Sequence, residues 1–434
     1  MNNVDIEKCK RFVQNLWDPE PKNDEEPGLS IWCLGQEYPQ SIDLQSSSSD
    51  GAKDLESPVL VESNNPQLDG SKLGAVYNDH QPTESDTAPS SWPGAFVRDF
   101  ESKIWLTYRS DFPIIPKSKN PNAASSMTLG VRLRSQLMDS HGFTADTGWG
   151  CMIRSGQSLL ANALALLFLG REWRRGTQAE EESRLLSLFA DDPRAPFSIH
   201  KFVAHGASAC GKYPGEWFGP SATAACIEAL SSECKEAGLN VYVTSDGSDV
   251  YEDRFRQIAC GDTNIIRPTL ILLGIRLGID RITPVYWEAL KSVLKCPQSV
   301  GIAGGRPSSS HYFVGVQGSH FFYLDPHHTR PAIPYRESSS MLPPEELDSY
   351  HTRRLRRLHV REMDPSMLVG FLIKDEDDWL SWKQSVRSVD GKAIFHIFDH
   401  ETSPYRFGSE REAAVDEVEA LDDDLQGDGP ELSS

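Results

Sequence analysis

The segment Asp146-Thr-Gly-Trp-Gly-Cys-Met-Ile-Arg-Ser-Gly-Gln157 leads directly into the most apolar stretch of the chain. Residues 152–169 are apolar on nearly all sides of a helical wheel, which predicts a long helix buried in the core. Gly148 and Gly150 permit a tight turn before that helix, so Cys151 should stand in its first turn. Free amides and the positive end of the helix dipole stabilise a thiolate there. The same amides suit the oxyanion of an acyl-transfer intermediate.

A base for such a nucleophile is found in the strand-like stretch His320-Phe-Phe-Tyr-Leu-Asp-Pro-His-His-Thr329. Residues two apart in an extended chain point to the same side, so Asp325 can orient the imidazole of His327. The other ring nitrogen would then face Cys151, which gives a nucleophile, a general base and an orienting carboxylate. The other histidines considered as bases are weaker candidates: His328, on the opposite side of the strand, and His311 and His320, which have no paired carboxylate nearby.

Each of these residues also has an ordinary structural explanation. A free cysteine is often a small core residue, and Asp-Pro is common turn chemistry. Neither motif is specific when it is taken alone. Taken together, Cys151, His327 and Asp325 predict an enzyme that uses a Cys–His–Asp triad, without identifying its substrate.

The acidic charge of the chain is concentrated in its flanks. Residues 1–100 carry a net charge of −11 and residues 399–434 one of −10, out of −20 in total. The middle is nearly neutral, and a nucleic-acid-binding face needs clustered Lys and Arg, so we expect no nucleic-acid partner. The polar stretch 45–93 has too few large apolar groups to fold. The predicted domains are an N-terminal segment at 1–44 that packs on or near the catalytic domain, a disordered low-complexity insertion at 45–93, a catalytic domain at 94–398 and an acidic disordered tail at 399–434.

The eight cysteines contain no C-x-x-C pair, and their spacings do not suggest a zinc site. Scattered cysteines behind a polar N-terminus without a signal-like apolar region suit a reducing compartment. The apolar run 159–169 is too short to span a bilayer. We therefore expect a cytoplasmic protein.

We expect it to need neither metal nor cofactor, since a thiolate–imidazole pair suffices for acyl transfer.

Helical patterns precede a strand-rich half, which predicts an α+β fold. The expected helices are 5–17, one from Gly94 whose apolar face carries Phe96, Phe100, Ile104 and Trp105, 152–169, 221–238 with Ser221 as N-cap, and 284–295. The expected strands in the second half are 269–275, 299–303, 312–317, 320–324, 368–373 and 393–398, with Gly318-Ser319 as a hairpin turn.

Several blocks of the sequence resemble the autophagy-related cysteine peptidases (autophagins), and the chain looks like a member of fungal type. They occur in matching order from about residue 28 to 390, interrupted by the insertion. The blocks are Ile31-Trp-Cys-Leu-Gly35, Trp105-Leu-Thr-Tyr-Arg109, Asp146–Gln157, Gly215-Glu-Trp-Phe-Gly-Pro220, Pro297-Gln-Ser-Val-Gly301, Gly301-Ile-Ala-Gly-Gly-Arg-Pro-Ser-Ser-Ser-His-Tyr-Phe-Val-Gly315, Tyr323-Leu-Asp-Pro-His327 and Asp364-Pro-Ser-Met-Leu-Val-Gly-Phe371.

The resemblance implies a papain-like fold with an added smaller lobe. It also implies a peptidase that cuts a ubiquitin-like autophagy modifier after its C-terminal glycine and releases the same glycine from phosphatidylethanolamine. By this resemblance Cys151 is the nucleophile, His327 the base and Asp325 its partner. Tyr108 matches a tyrosine near the oxyanion site, and Trp217 matches a tryptophan that covers the groove.

A regulatory loop that opens for substrate is implied at Gly304, Gly305, Arg306 and Pro307. A tryptophan cover and a glycine-bearing loop would form a slot that admits glycine and excludes water. The implied partner is the modifier in its precursor and lipid-conjugated forms. We also expect transient contact with a membrane surface and recruitment to autophagosomal membranes, and a nuclear location stays open. No basic amphipathic helix is evident for that contact.

Two further features of the sequence indicate a function only weakly. Phe395-His-Ile-Phe398 comes close to an aromatic-x-x-aliphatic modifier-binding motif, but it equally fits a buried strand. Cys296 is a candidate for redox regulation, although an inert buried cysteine fits as well. Two other functions also stay open: a different Cys–His–Asp enzyme, such as a deubiquitinase or a transglutaminase-like acyltransferase, and a non-enzymatic scaffold for the modifier.

Overall fold

A computed structural model describes residues 20–25, 28–39, 92–137, 141–244, 247–306, 309–336, 341–389 and 391–400. The helix expected at 5–17, the insertion up to residue 91, Pro307 and the tail beyond residue 400 lie outside these residues. The domain boundaries that depend on them stay predictions.

The fold is α+β, as the sequence predicts. The helices are α1 (Gly94–Glu101), α2 (Leu129–Leu137), α3 (Cys151–Phe168), α4 (Ala179–Ser187), α5 (Ile199–Ala209), α6 (Pro220–Glu233), α7 (Glu252–Cys260), α8 (Trp287–Lys295), α9 (Pro344–Asp348) and α10 (Glu376–Arg387). The strands are β1 (Ile31–Cys33), β2 (Gln36–Tyr38), β3 (Arg109–Pro116), β4 (Gly142–Ala145), β5 (Asn240–Val243), β6 (Val250–Tyr251), β7 (Thr269–Arg276), β8 (Ser299–Arg306), β9 (Ser309–Gln317), β10 (His320–Leu324), β11 (Arg330–Pro331), β12 (Arg357–His359), β13 (Ser366–Ile373) and β14 (Ile397–Phe398).

A nine-stranded sheet forms the centre, with strand order β12-β10-β9-β8-β13-β7-β5 and the β1–β2 hairpin attached through β9. Its pairings are antiparallel except that of β5 with β7. Residues of β13 are buried on both faces, which requires layers on either side of the sheet. A smaller sheet, β11-β3-β4, lies apart from the central one.

Helix α3 is the central helix, and it packs against β8 and β9. Among the described residues it is the one helix with the length and composition of a membrane span, but 83% of it is buried inside the protein. Both observations follow from its sequence, since a helix that is apolar all round is stable only inside a core or a bilayer. Here it serves as the core helix, and Cys151 is its first residue.

Helix α1 ends earlier than its apolar pattern predicts. It stops at Glu101, so Ile104 and Trp105 lie beyond it on an extended segment. That segment is bound to α3: the Asn162 side-chain oxygen accepts from the Ile104 amide at 3.0 Å. The Ile104 and Trp105 side chains are buried as predicted, but these tertiary hydrogen bonds replace helical ones.

Two further sequence predictions were wrong in detail. Helix α6 has Gly219 as its N-cap and Pro220 as its first residue, which displaces Ser221 from the predicted cap position. Proline suits the first helical position, because its missing amide would be unpaired there in any case. The strand expected at 393–398 is reduced to Ile397–Phe398, which pairs with β6.

Candidate active site

Cys151 lies at the start of α3 and is almost fully buried. The turn before it is closed by the main-chain oxygen of Asp146, which accepts from the amides of Trp149 at 3.2 Å and Gly150 at 2.9 Å. A Cβ on Gly150 would come within 2.5 Å of the Asp146 carboxylate. Glycine is therefore required at this position by close approach.

Asp325 and His327 lie directly after β10. The Asp325 Oδ1 atom lies 2.6 Å from His327 Nδ1 and accepts from the His327 amide at 3.0 Å. This fixes the ring by two contacts to one oxygen and leaves Nε2 on the other side of the imidazole. The His327 ring also interacts electrostatically with the Cys151 sulfur. The structure thus brings together all three residues predicted as a triad.

The electrostatics of the three residues favour an ion pair. Burial acts against ionisation of Cys151, but contact with His327 and a Ser310 amide outweighs it and lowers the pKa of the thiol below its ordinary value of 9.0. Burial also opposes a charged His327, but its bonds to Asp325 and Cys151 raise the pKa of the imidazole to about 9. The pKa of Asp325 is held well below its usual range, because its bond to His327 offsets burial. Both shifts act in the direction of a thiolate–imidazolium pair.

Tyr108 and Trp217 both border the reactive sulfur. The Tyr108 ring stands edge-on to His327, with centroids 5.3 Å apart, and its hydroxyl interacts with Cys151. Burial and the nearby sulfur raise the pKa of Tyr108, so its hydroxyl stays a neutral donor. Trp217 lies on the segment between α5 and α6. Its buried indole N–H has no regular hydrogen-bond partner among the described residues, and it interacts with the Cys151 sulfur at longer range.

The extended segment 104–109 joins helix α3, which begins at Cys151, to the turn that carries His327. On one side, the amide of Leu106 donates to the hydroxyl of Ser158 on α3 at 3.0 Å. On the other side, the indole N–H of Trp105 donates to the main-chain oxygen of Asp325 at 2.8 Å. The amide of Tyr108 donates to the main-chain oxygen of Pro326 at 2.9 Å. Sequence reasoning missed the role of Trp105, although the residue stands within one of the quoted blocks.

A buried ion network lies beneath the nucleophile. Arg154, one turn after Cys151, contacts Asp146 at 2.6 Å and Asp191 at 2.8 Å. The second Asp146 oxygen accepts from the amide of Arg109 at 2.6 Å. This carboxylate therefore ties α3 to the strand that follows Tyr108. One indication of this role was available in the sequence, where an acidic residue stands two positions before the Gly-Trp-Gly turn.

The residues predicted as a regulatory loop lie largely within strands. Gly304 and Gly305 belong to β8 and pair with His311 and Ser310. A Cβ on Gly305 would lie 1.8 Å from the main-chain oxygen of Ser309, so the close pairing requires glycine. Arg306 ends β8, and Pro307 lies outside the described residues. The regulatory role stays a prediction.

The contacts of this hairpin with the residues of the predicted triad and their neighbours come from its second strand instead. The Ser309 hydroxyl lies 3.1 Å from His327 Nε2. The Ser310 hydroxyl donates to Met152 Sδ at 3.3 Å, next to the nucleophile. Sequence reasoning included both serines in a quoted block but assigned them no role.

One group of side chains in the described residues could hold a metal ion. The donor atoms of His311, Asp325 and His327 all lie within 4.8 Å of one another. Two of these atoms already form the contact between Asp325 and His327. An ion bound here would compete with the orientation of the base.

The remaining candidates lie away from the triad. Cys296 is buried, burial raises the pKa of its thiol to about 11, and the thiol donates to Gln298 at 3.2 Å. These features are typical of an unreactive cysteine. Phe395 is buried, whereas Phe398 is exposed at the end of β14. A modifier-binding role for this segment stays a prediction.

Comparison with known proteins gives concordant matches. The model of the peptidase C54 catalytic domain matches residues 93–385. A "Probable cysteine protease ATG4" of Coccidioides immitis is 63% identical over 436 residues, covering 98% of this chain and all of the relative. A "Probable cysteine protease atg4" of Aspergillus oryzae is 60% identical over 428 residues, covering 98% of this chain and 100% of the relative. A "Cysteine protease atg4" of Emericella nidulans is 58% identical over 425 residues, with coverage of 98% and 99%.

Proposed function

This chain belongs to the peptidase C54 family of cysteine peptidases, and we propose that it cleaves a ubiquitin-like autophagy modifier directly after its C-terminal glycine. Family membership makes it a cysteine-type peptidase with the papain-like α+β fold. The modifier, the glycine specificity and the release of the modifier from phosphatidylethanolamine are the parts that we propose.

The observation that carries the proposal is the set of contacts linking Cys151, His327 and Asp325. A buried thiol with a lowered pKa stands at a helix start against an imidazole that a carboxylate orients at 2.6 Å. This arrangement supplies an activated nucleophile and a proton donor.

The reaction follows from these groups. The Cys151 thiolate attacks the carbonyl carbon of the glycine, and the developing oxyanion is stabilised by helix-start amides and the Tyr108 hydroxyl. The imidazolium of His327 gives its proton to the leaving nitrogen, the C–N bond breaks, and a thioester to Cys151 remains. His327 then takes a proton from water, the resulting hydroxide attacks the thioester, and the carboxylate product leaves with the thiolate restored.

The same chemistry covers both proposed substrates. In the precursor the leaving nitrogen belongs to the next amino acid, and in the lipid conjugate it belongs to the ethanolamine headgroup. Both bonds are amides of the same glycine. One site can therefore process the precursor and release the modifier from the membrane.

Close packing around Cys151 supports the preference for glycine. The Trp217 ring is partly buried against the core, near the Cys151 sulfur. The β8–β9 hairpin reaches His327 through Ser309 at the start of β9. A slot bounded by an indole and a backbone hairpin would favour a residue without a Cβ.

The test is incubation with a C-terminally extended modifier under reducing conditions, followed by intact-mass analysis. We expect a product that ends at the glycine with the wild-type chain, and none with Cys151→Ala, which should still bind the modifier. Cleavage of ubiquitin fusions alone would favour a deubiquitinase instead. Binding without turnover in the wild-type chain would favour a scaffold.

A further inference from the structure

Helix α2 presents two leucines to solvent on its outer face. Leu129 is 71% exposed and Leu133 is 55% exposed, and a separation of four residues places them next to each other. The opposite face carries Val131 and Ser135, which are buried. Adjacent exposed leucines leave apolar area in water, and burial of that area against another surface would be favourable.

Basic side chains lie beside this leucine pair and at one end of its helix. Arg132 and Arg134 project on either side of it, as the helical periodicity requires. Lys117 reaches the end of the helix, where its Nζ donates to the main-chain oxygen of Ser135 at 2.7 Å. None of these three cations forms an ion pair with a carboxylate in the part of the chain that the structure describes. The face therefore combines apolar area with positive charge.

The inner side of α2 rests on the turn that precedes the nucleophile. The Val131 side chain packs against Gly148. The Arg134 guanidinium, at the edge between the inner and outer faces, donates to the main-chain oxygen of Thr147 at 3.1 Å. The Thr147 hydroxyl in turn lies 2.9 Å from that of Thr329, two residues beyond the catalytic histidine. Whatever binds the outer face of α2 is thereby held beside the entrance to the active site.

We propose that the outer face of α2 docks onto a phospholipid bilayer that carries anionic headgroups. The inference rests on the proposed function, in which one substrate is a modifier attached to a membrane lipid. Leucines inserted at the headgroup boundary bury apolar area, and flanking arginines remain at the charged surface. Juxtamembrane Lys and Arg are attracted by the negative potential of an anionic leaflet.

The sequence pattern did not reveal this surface. Leu129, Val131 and Leu133 alternate like residues of a strand, and Gly130 lowers helix propensity. Only the helical arrangement separates Val131, which enters the core, from the two leucines that do not.

The first test is flotation of the full-length chain with vesicles of phosphatidylcholine, with and without phosphatidylserine. We expect binding only to the vesicles with phosphatidylserine, weakened by salt. The double variant Leu129→Ser/Leu133→Ser should lower the bound fraction about tenfold, because the insertion of apolar side chains is lost. The matched control is Ile265→Ser/Ile279→Ser, which alters two isoleucines that are 72% and 80% exposed elsewhere and should bind like the wild type. Equal binding by the leucine variant and the wild type would overturn the proposal.

The second test compares two substrates. With the leucine double variant, we expect unchanged cleavage of a soluble precursor and slower release of a vesicle-bound conjugate. An equal loss on both substrates would show that α2 contacts the modifier protein and would overturn the lipid proposal. If the wild-type chain cleaves neither substrate, the proposed function fails. The flotation result, which requires no catalysis, still decides whether α2 binds a bilayer.

Discussion

The indole N–H of Trp105 donates to the main-chain oxygen of Asp325 at 2.8 Å, across 220 residues of sequence. The Trp105 ring also lies under the guanidinium of Arg330, 4.7 Å from its centroid, and edge-on to His328. One side chain therefore holds the turn that carries His327, the proposed base, from a position away from Cys151.

Trp105→Phe should lower turnover through the position of this turn. Phenylalanine keeps a ring for Arg330 but removes the N–H, at a cost of about 1 kcal/mol in stability. We expect kcat to fall about tenfold, since small displacements of a catalytic group are costly, while KM changes little. Steady-state kinetics and urea unfolding measure both effects. A fall in stability with unchanged kcat would leave Trp105 with a structural role only.

The pH dependence of activity should be bell-shaped, with limbs set by Cys151 and His327. Activity should rise as the thiol ionises, below its ordinary pKa of 9.0, and fall as the imidazolium loses its proton near pH 9. Asp325→Asn removes the carboxylate that raises the pKa of His327, so the basic limb should move to lower pH. The profile of kcat/KM measures this, and an unmoved basic limb in the variant would contradict the assignment.

Trp217→Phe should make Cys151 less acidic. The indole N–H helps to lower the pKa of the thiol, and phenylalanine keeps the aromatic cover without that donor. We expect the pH profile of Cys151 alkylation to shift to higher pH. Trp173→Phe provides the control, because its N–H donates to Thr177 outside the site. If the Trp217 and Trp173 variants gave the same profile, Trp217 would act only as a cover.

Arg154→Met should destabilise the fold strongly. It leaves the carboxylate of Asp146 buried without its cation and Asp191 with only Arg109 at 3.8 Å, and breaking a buried ion pair costs about 3–5 kcal/mol in comparable cases. Arg194→Met is the matched control, because the Arg194 side chain is largely exposed beside Asp192 and should change stability by less than about 1 kcal/mol. Chemical denaturation of both variants measures the difference. Equal stability would contradict the role assigned to the buried network.

The parts of the site that could be predicted from sequence are those set by local geometry. The helix start at Cys151 follows from two glycines and an apolar run, and the Asp325–His327 contact follows from a two-residue spacing. The contacts of Trp105 and Ser309 depend on how distant segments pack and on the register of β8 with β9. No local pattern encodes such pairings.

The early end of α1 and the outward leucines of α2 have the same explanation. At Ile104, an acceptor on the core helix competes with helical hydrogen bonding, and this acceptor is 58 residues away in the chain. At Leu129 and Leu133, the core side of the helix is set by the position of Gly148. Both outcomes depend on tertiary neighbours that a sequence window does not contain.

The most direct test of the central claim is the rate of iodoacetamide labelling of Cys151 as a function of pH, followed by peptide mass analysis. A thiolate paired with His327 predicts that Cys151 labels faster than the other cysteines at neutral pH, and that His327→Ala shifts its profile toward the ordinary pKa of 9.0. Labelling of Cys151 at the same rate as the other cysteines, or an identical profile in the His327 variant, would contradict the account.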